Sequence, residues 1–154
     1  MQEVPGLVDA VMLASRALIA VSARSLSAAP IPVTLPQYRV LVVLASRGPQ
    51  RPSALADELG TAPSSMTRMC DRLGQKKLIE RRTNEEDRRE VETLIAPAGQ
   101  AVVDSVTKRR RREIRRILSS IPTKQQELVV EALSAFGLAA GEVPEEKWPL
   151  GWPS

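Results

Sequence analysis

Prolines stand at twelve positions of this 154-residue chain, and their spacing constrains the fold more than any other feature. Proline has no amide proton to donate, and its ring collides with the helical turn before it, so each one marks an element's edge. Between Pro5 and Pro30, Leu7, Val8, Val11, Ala14, Ser15, Leu18, Ile19, Ser22 and Leu26 recur every three or four residues. That spacing predicts a long first helix with one apolar stripe. After Pro30, Pro32 and Pro36, the run Thr34-Leu35-Pro36-Gln37 has the form of a capping box. The residues from Tyr38 to Ala45 are then apolar on nearly every side apart from Arg39, which predicts a buried second helix.

The segment Ser53 to Leu59 sets Leu55, Ala56 and Leu59 on one face and Asp57 and Glu58 outside, with Gly60 supplying a backbone free to end the helix. Pro63 suits the first turn of a fourth helix, Ser64 to Lys77, where its missing donor has no intrahelical role. Met66, Met69, Cys70 and Leu73 gather on one side of it, and Ser64, Ser65, Thr67, Arg68, Asp71 and Arg72 take the rest. Charged residues crowd Glu80 to Glu90 around Asn84, and Val91, Thr93 and Ile95 then alternate, which predicts a hairpin. Pro97 opens a long fifth helix reaching Ser120, and Pro122 a sixth. A second potential capping box, Thr123 to Gln126, starts the sixth helix, and Leu128, Val129, Ala132, Leu133 and Phe136 form its stripe. The tail from Gly141 is expected to be irregular.

Composition removes several chemistries. The chain has no histidine and one cysteine. Zinc sites of the Cys/His type, Ser-His-Asp triads, Cys-His dyads and haem ligation by histidine are therefore closed to it. No metal, cofactor or catalytic residue is assigned. One cysteine cannot form an intrachain disulfide, and no signal for export is seen at the N-terminus, so the cytoplasm is the expected compartment. The stretch from Val4 to Ala23 is interrupted by Asp9, Ser15 and Arg16, which argues against a membrane span. Lys and Arg number 22 against 18 Asp and Glu, a net charge of +4 with a pI near 9.7, which leans toward polyanionic partners.

Two short helices joined at Gly60 and followed by a charged hairpin are the layout of a winged helix-turn-helix. The fold class expected is mainly α, with a small β-hairpin wing and a helical dimerisation region built from the terminal helices. Four regions follow: 1–34 as N-terminal dimerisation helix and connector, 35–96 as DNA-binding lobe, 97–140 as C-terminal dimerisation helices, and 141–154 as tail. A recognition helix lies in a major groove about 12 Å wide, so its outward residues must be donors that reach base edges. Ser64, Ser65, Thr67 and Arg68 meet that requirement, with Arg68 suited to guanine and Arg72, one turn on, to a phosphate. Arg81, Arg82, Arg88 and Arg89 put cations on the hairpin beside the same groove. Asp87 is read as an internal partner that holds an arginine in place, whereas Glu85 and Glu86 have no DNA-binding rationale.

From Leu35 to Gly99, 65 of 154 residues, the chain resembles the MarR family of bacterial winged-helix transcription factors. The stretches that carry the resemblance are LPQYRVLVVL, LADELG, PSSMTRMCDRLGQKKLIERR, and DRR followed by a strand and PAG. The resemblance implies that Ser64, Ser65, Thr67 and Arg68 contact bases, that Arg89 enters the minor groove from the wing, and that Asp87 orients it. It also implies interlocking terminal helices in a dimer. Ala62 and Ala96 depart from the hydroxyl residues common before the two prolines, which weakens two helix caps by about 1 kcal/mol each. Thr61 is expected to compensate in part. Glu85 stands where a proline is frequent, so a less rigid wing tip is expected.

The first, fifth and sixth helices carry more apolar surface than a compact winged lobe can cover, which points to a homodimer. Two recognition helices would then reach major grooves about 34 Å apart and read a palindrome. A small anionic or aromatic effector is the other partner the resemblance implies, and Arg16, Tyr38 and Arg39 are the candidates to converge on it, the arginines for a carboxylate and the ring for stacking. Cys70, on the apolar stripe of the fourth helix, is expected to be buried and inert. From Lys108 to Arg116, seven of nine residues are basic, and a solvated, salt-bridged face is favoured over an anion site because five consecutive residues circle a helix. Both tryptophans lie in the tail, where docking on a partner, filling a cleft and fraying all stay open.

The function expected is that of a sequence-specific, double-stranded DNA-binding transcriptional regulator, a repressor that acts as a homodimer on a palindromic operator and is relieved by a small effector. Activation through the same contacts stays open. A protein-interaction module without sequence-specific DNA binding is the rival. An enzyme would need carboxylates in a cleft, and the acidic cluster of Glu85, Glu86 and Asp87 falls on a loop expected to be exposed.

Overall fold

A computed structural model describes residues 4–149. Six helices and one hairpin follow in the order α1 (Leu7–Ser27), α2 (Leu35–Arg47), α3 (Pro52–Leu59), α4 (Pro63–Gln75), β1 (Ile79–Thr83), β2 (Val91–Ile95), α5 (Pro97–Leu118) and α6 (Thr123–Ala139). The mainly helical winged helix-turn-helix expected from the prolines is the fold observed. Four of these helices carry proline in their first turn, as the missing amide donor requires. The capping box of α2 forms in full: the Thr34 hydroxyl accepts from the Gln37 amide, and the Gln37 side chain accepts from the Thr34 amide.

The core surrounds α2. Val40, Leu41 and Leu44 on that helix are essentially inaccessible, and Leu55 of α3, Met66, Cys70 and Leu73 of α4, Leu78, and Val102, Val103 and Val106 of α5 close around them. The hairpin is antiparallel in the register Ile79↔Ile95 through Thr83↔Val91. Gln50 adds a short third rung, exchanging backbone hydrogen bonds of 2.9 and 2.7 Å with Thr93. That rung ties the connection before α3 to the wing.

Helices α1 and α6 stand differently. Only Val21, Ser25 and Leu26 of α1 are buried, and no residue of α6 is. Leu7, Val8, Met12, Leu13 and Ile19 on α1, and Leu128, Val130, Leu133, Phe136 and Leu138 on α6, are each at least half exposed. No described helix is long and apolar enough to cross a membrane.

Three local expectations need correction. The second capping box does not form: Pro122 occupies the cap of α6, and the Gln126 amide donates instead to the carbonyls of Leu118 and Ile121, closing the α5–α6 turn. Thr61 does not replace the missing cap of α4, since its buried hydroxyl has no partner among the described residues and Ala62 provides none. The tail is not wholly irregular. It makes a 3-10 turn at Glu145–Lys147, and Trp148 lies half-buried against the core, its indole N–H donating to the Val143 carbonyl at 2.9 Å. Trp152 lies outside the described residues.

At the start of α5 the backbone passes so close to the residue preceding β1 that a Cβ on Gly99 would fall 2.1 Å from the Leu78 carbonyl oxygen. That carbonyl also accepts from the Ala96 amide, so it cannot swing away. Gly99→Ala is expected to destabilise the fold by about 1–3 kcal/mol through overpacking, whereas Gly137→Ala, in open space on α6, should be neutral to stabilising by up to about 1 kcal/mol. Urea unfolding midpoints of the two variants check this, and equal midpoints would contradict it.

Cys70 is buried as its stripe implied. Burial pushes its thiol up, the nearby Arg81 guanidinium pulls it down in part, and Asp71 adds to the rise. A raised thiol has less thiolate at any pH near neutral, so the native protein is expected to resist alkylation at about pH 8 and to label quickly in denaturant. Native labelling as fast as that of a free thiol would show this part of the core to be open.

Candidate nucleic-acid interface

The turn between α3 and α4 rests on Gly60, whose left-handed backbone (φ 60°, ψ 36°) lets the Thr61 amide reach back to the Ala56 carbonyl at 2.9 Å. This sharp turn sets α4 across α3 with Met66, Cys70 and Leu73 facing inward. Ser64, Ser65, Thr67, Arg68 and Arg72 are then all exposed on the opposite side. The Thr67 hydroxyl donates to the Pro63 carbonyl at 3.0 Å, which leaves its oxygen lone pairs and its methyl group as the features it presents outward.

The wing is fastened along its length. Arg81 of β1 pairs with Asp71 of α4, and Arg51, just before α3, pairs at 2.7 Å with Glu90, which lies at the turn end of the hairpin just before β2. Arg82 faces Glu92 directly across the hairpin and pairs with it at 3.3 Å. At its tip, the Asn84 side chain accepts from the Glu86 amide at 2.9 Å, and the Asp87 carboxylate accepts from the Arg89 amide at 3.0 Å. Side-chain acceptors of this kind shape a loop from within its own backbone. Asn84 and Asp87 thus set the local shape of the tip.

These contacts sort the hairpin arginines. Arg81 and Arg82 are not the free groove-side cations that their positions suggested, because neighbouring carboxylates hold them. Arg88 and Arg89 are exposed and make no ion pair among the described residues, and the same is true of Arg68 and Arg72 on α4. Asp87 acts on the backbone of Arg89 and not on its guanidinium. No local signal announces the Arg51–Glu90 pair or the Gln50–Thr93 rung, since their partners are distant in the chain and of ordinary type.

The three effector candidates do not converge. Tyr38 and Arg39 line a cavity of about 480 Å³ between α2, α5 and the tail, together with Thr107, Arg110, Glu142 and Trp148. Arg16 is exposed on α1 and does not line it. The Tyr38 hydroxyl lies 3.4 Å from that of Thr107, and Arg39 pairs with Glu142 at 3.1 Å. Arg110 of α5 lines the cavity as well. Its Nε is buried with no hydrogen-bond partner among the described residues.

Comparison with known proteins agrees with this geometry. The MarR family model matches residues 33–91, from just before α2 to the start of β2. The HTH-type transcriptional repressor MdtR of Bacillus subtilis is 32% identical over 115 residues, 75% of this chain and 74% of its own length. The crystal structure of RV1404 from Mycobacterium tuberculosis superposes with a TM-score of 0.84 at 39% identity, covering 94% of this chain and 98% of that one. The apo form of wild-type MarR from E. coli shares the fold, with a TM-score of 0.70 at 23% identity over 89% of this chain and 99% of its own. With a winged lobe built on the same plan, a family model that matches it, and 32% identity to a transcriptional repressor over three quarters of its length, the chain belongs to the MarR family of transcriptional regulators.

Proposed function

We propose that the protein is a sequence-specific, double-stranded DNA-binding repressor that acts as a homodimer on a palindromic operator and is released by a small effector. The observation that carries this reading is the sorting of arginines on the lobe. Those that support the wing are paired with carboxylates, whereas Arg68, Arg72, Arg88 and Arg89 stand exposed without ion pairs on two adjacent elements. Such cations, set beside the hydroxyls of Ser64, Ser65 and Thr67, suit a strand of phosphates and the base edges next to it. In this reading Arg68 reads a base in the major groove, Arg72 and Arg88 hold phosphates, and Arg89 enters the minor groove from a tip that Asp87 has shaped. The relative MdtR carries the name of a repressor.

The exposed apolar faces of α1 and α6 support the twofold assembly. Burying one Leu or Phe side chain contributes about 1.5–3 kcal/mol, and two helices with nothing packed on these faces leave that contribution unrealised in a single subunit. The cavity of Tyr38, Arg39 and Arg110 is the place proposed for an anionic or aromatic effector, because the unpartnered Arg110 Nε is a donor without an acceptor. It lies between α2 of the lobe and α5, so a ligand there can bias how the lobe sits on the long helix. The regulator would act in the cytoplasm.

Selection of bound fragments from random DNA tests the whole reading, and an inverted repeat with half-sites one helical turn apart is expected. Arg68→Ala should cost about 1–3 kcal/mol and relax the preference at one base pair. Arg89→Ala should lower affinity with the fold intact by circular dichroism. No enriched sequence, together with indifference to Arg68→Ala, would leave a protein-docking module as the better account. Sedimentation should give twice the chain mass for the native protein, and Leu133→Glu with Phe136→Glu should shift it toward one subunit. A native protein that sediments as a monomer at micromolar concentration would remove the twofold mechanism.

A further inference from the structure

The basic run of α5 separates in three dimensions into groups with different surroundings. Arg110 turns toward the cavity beside Tyr38, and Arg111 pairs with Glu145 of the tail. Arg109, Arg112 and Arg116 fall within about 60° of one another around the helix axis, at about 100° per residue. They line a cleft of about 440 Å³ between α1 and α5, which Arg24 and Ser25 of α1 and Glu113 complete.

The charge in this cleft is one-sided. Four guanidiniums meet one carboxylate, and Glu113 is already engaged by Arg24, whose Nε donates to it at 2.8 Å. Arg109, Arg112 and Arg116 make no ion pair among the described residues. Like charges three and four residues apart on one helix face oppose its formation. The helix dipole accounts for a cation in the last turn, such as Arg116, but its influence does not extend to Arg109 or Arg112. Ser25 donates its hydroxyl proton to the Val21 carbonyl at 2.9 Å, so the guanidiniums are the side-chain donors free to meet a ligand.

We infer that this cleft is a binding site for a small, multiply charged oxyanion of the phosphate class, distinct from both the DNA surface and the cavity beside Tyr38. Guanidinium forks match such oxygens two at a time, and the cleft's volume falls within the roughly 300–1,000 Å³ usual for small-molecule sites. Backbone phosphates of DNA offer the same chemistry, but the position favours a free ligand. Arg109 to Arg116 lie about 18–28 Å along α5 from Pro97, at 1.5 Å per residue, and the cleft is lined by α1 and α5 with no residue of α4 or the wing among its lining.

The test uses the full chain without DNA and inorganic pyrophosphate as the probe, titrated calorimetrically against chloride at matched ionic strength. Saturable binding is expected, weakened at least about tenfold in the Arg109→Gln, Arg112→Gln double variant, while Lys124→Gln with Lys147→Gln, which removes the same charge elsewhere, leaves it unchanged. Absence of saturable binding, or equal weakening by the two double variants, would overturn the inference. So would loss of DNA affinity and of salt dependence in the arginine variant when pyrophosphate does not bind, because the cations would then serve DNA phosphates. A fall to the mass of one subunit in that variant, with no pyrophosphate bound by the native protein, would assign the arginines to a second copy of the chain and overturn it equally. Since DNA is absent from the titration, failure leaves the DNA-binding reading intact.

Discussion

Burial of α2 is the constraint on which the lobe depends. Val40, Leu41 and Leu44 are sealed on all sides, so α3, α4, the strand residues and the first half of α5 must each present an apolar face to the same short cylinder. The Leu35, Arg39 and Val42 side of this helix meets the cavity and solvent while its other sides are enclosed, and interiors packed at crystal-like density resist small shifts. The elements around it are correspondingly fixed. Gly99 marks where that fit is tightest, by letting α5 touch the backbone of Leu78 just before β1, and Gly60 serves differently, by allowing a left-handed turn. Arg47, at the end of α2, extends the hold outward by pairing with Glu58 of α3 at 3.0 Å and donating to the Gly141 carbonyl at 3.1 Å.

A rigid support matters for a surface that reads shape. Exposed ion pairs are individually weak, each contributing about 0–1 kcal/mol. Arg81–Asp71, Arg82–Glu92 and Arg51–Glu90 are therefore better understood as alignment than as sources of stability. They join wing to recognition helix, strand to strand, and the turn end of the wing to the start of α3. They also neutralise the cations nearest the core of the lobe and leave Arg68 and Arg72 on the helix face, and Arg88 and Arg89 at the wing tip, without ion pairs among the described residues, the last two beside the acidic Glu85, Glu86 and Asp87. Glu85 and Glu86 remain on that tip with no structural account.

The hairpin geometry, the helix order and the buried face of α4 were legible in the sequence because each depends on residues close together in the chain. Alternation at Val91, Thr93 and Ile95, the Thr34–Gln37 box and the Met66, Cys70, Leu73 stripe are local signals, and the local backbone obeys them. The signal failed where two local solutions compete. At Thr123 a capping box was available, yet Gln126 satisfies the carbonyls left open at the end of α5, which the tight α5–α6 turn brings within reach. The effector trio failed for a related reason. Which side of α1 faces the lobe is set by packing of Val21 and Leu26, and that packing leaves Arg16 outside.

The amino-acid sequence alone determined the order of the helices and the prolines near which they open, that a charged hairpin follows the fourth helix, and that Cys/His zinc sites and histidine-based nucleophilic chemistry are closed to this chain. These follow from proline's missing donor, from short-range periodicity and from composition, none of which needs a partner distant along the chain. The tertiary structure decided which of many arginines are paired, that Trp148 packs against the core, and that a run of five consecutive basic residues, with Arg116 beyond it, divides among a cavity, a tail contact and a cleft. The reason is physical: a guanidinium at the end of a long flexible stem takes its role from whatever carboxylate, ring or void the fold brings within reach.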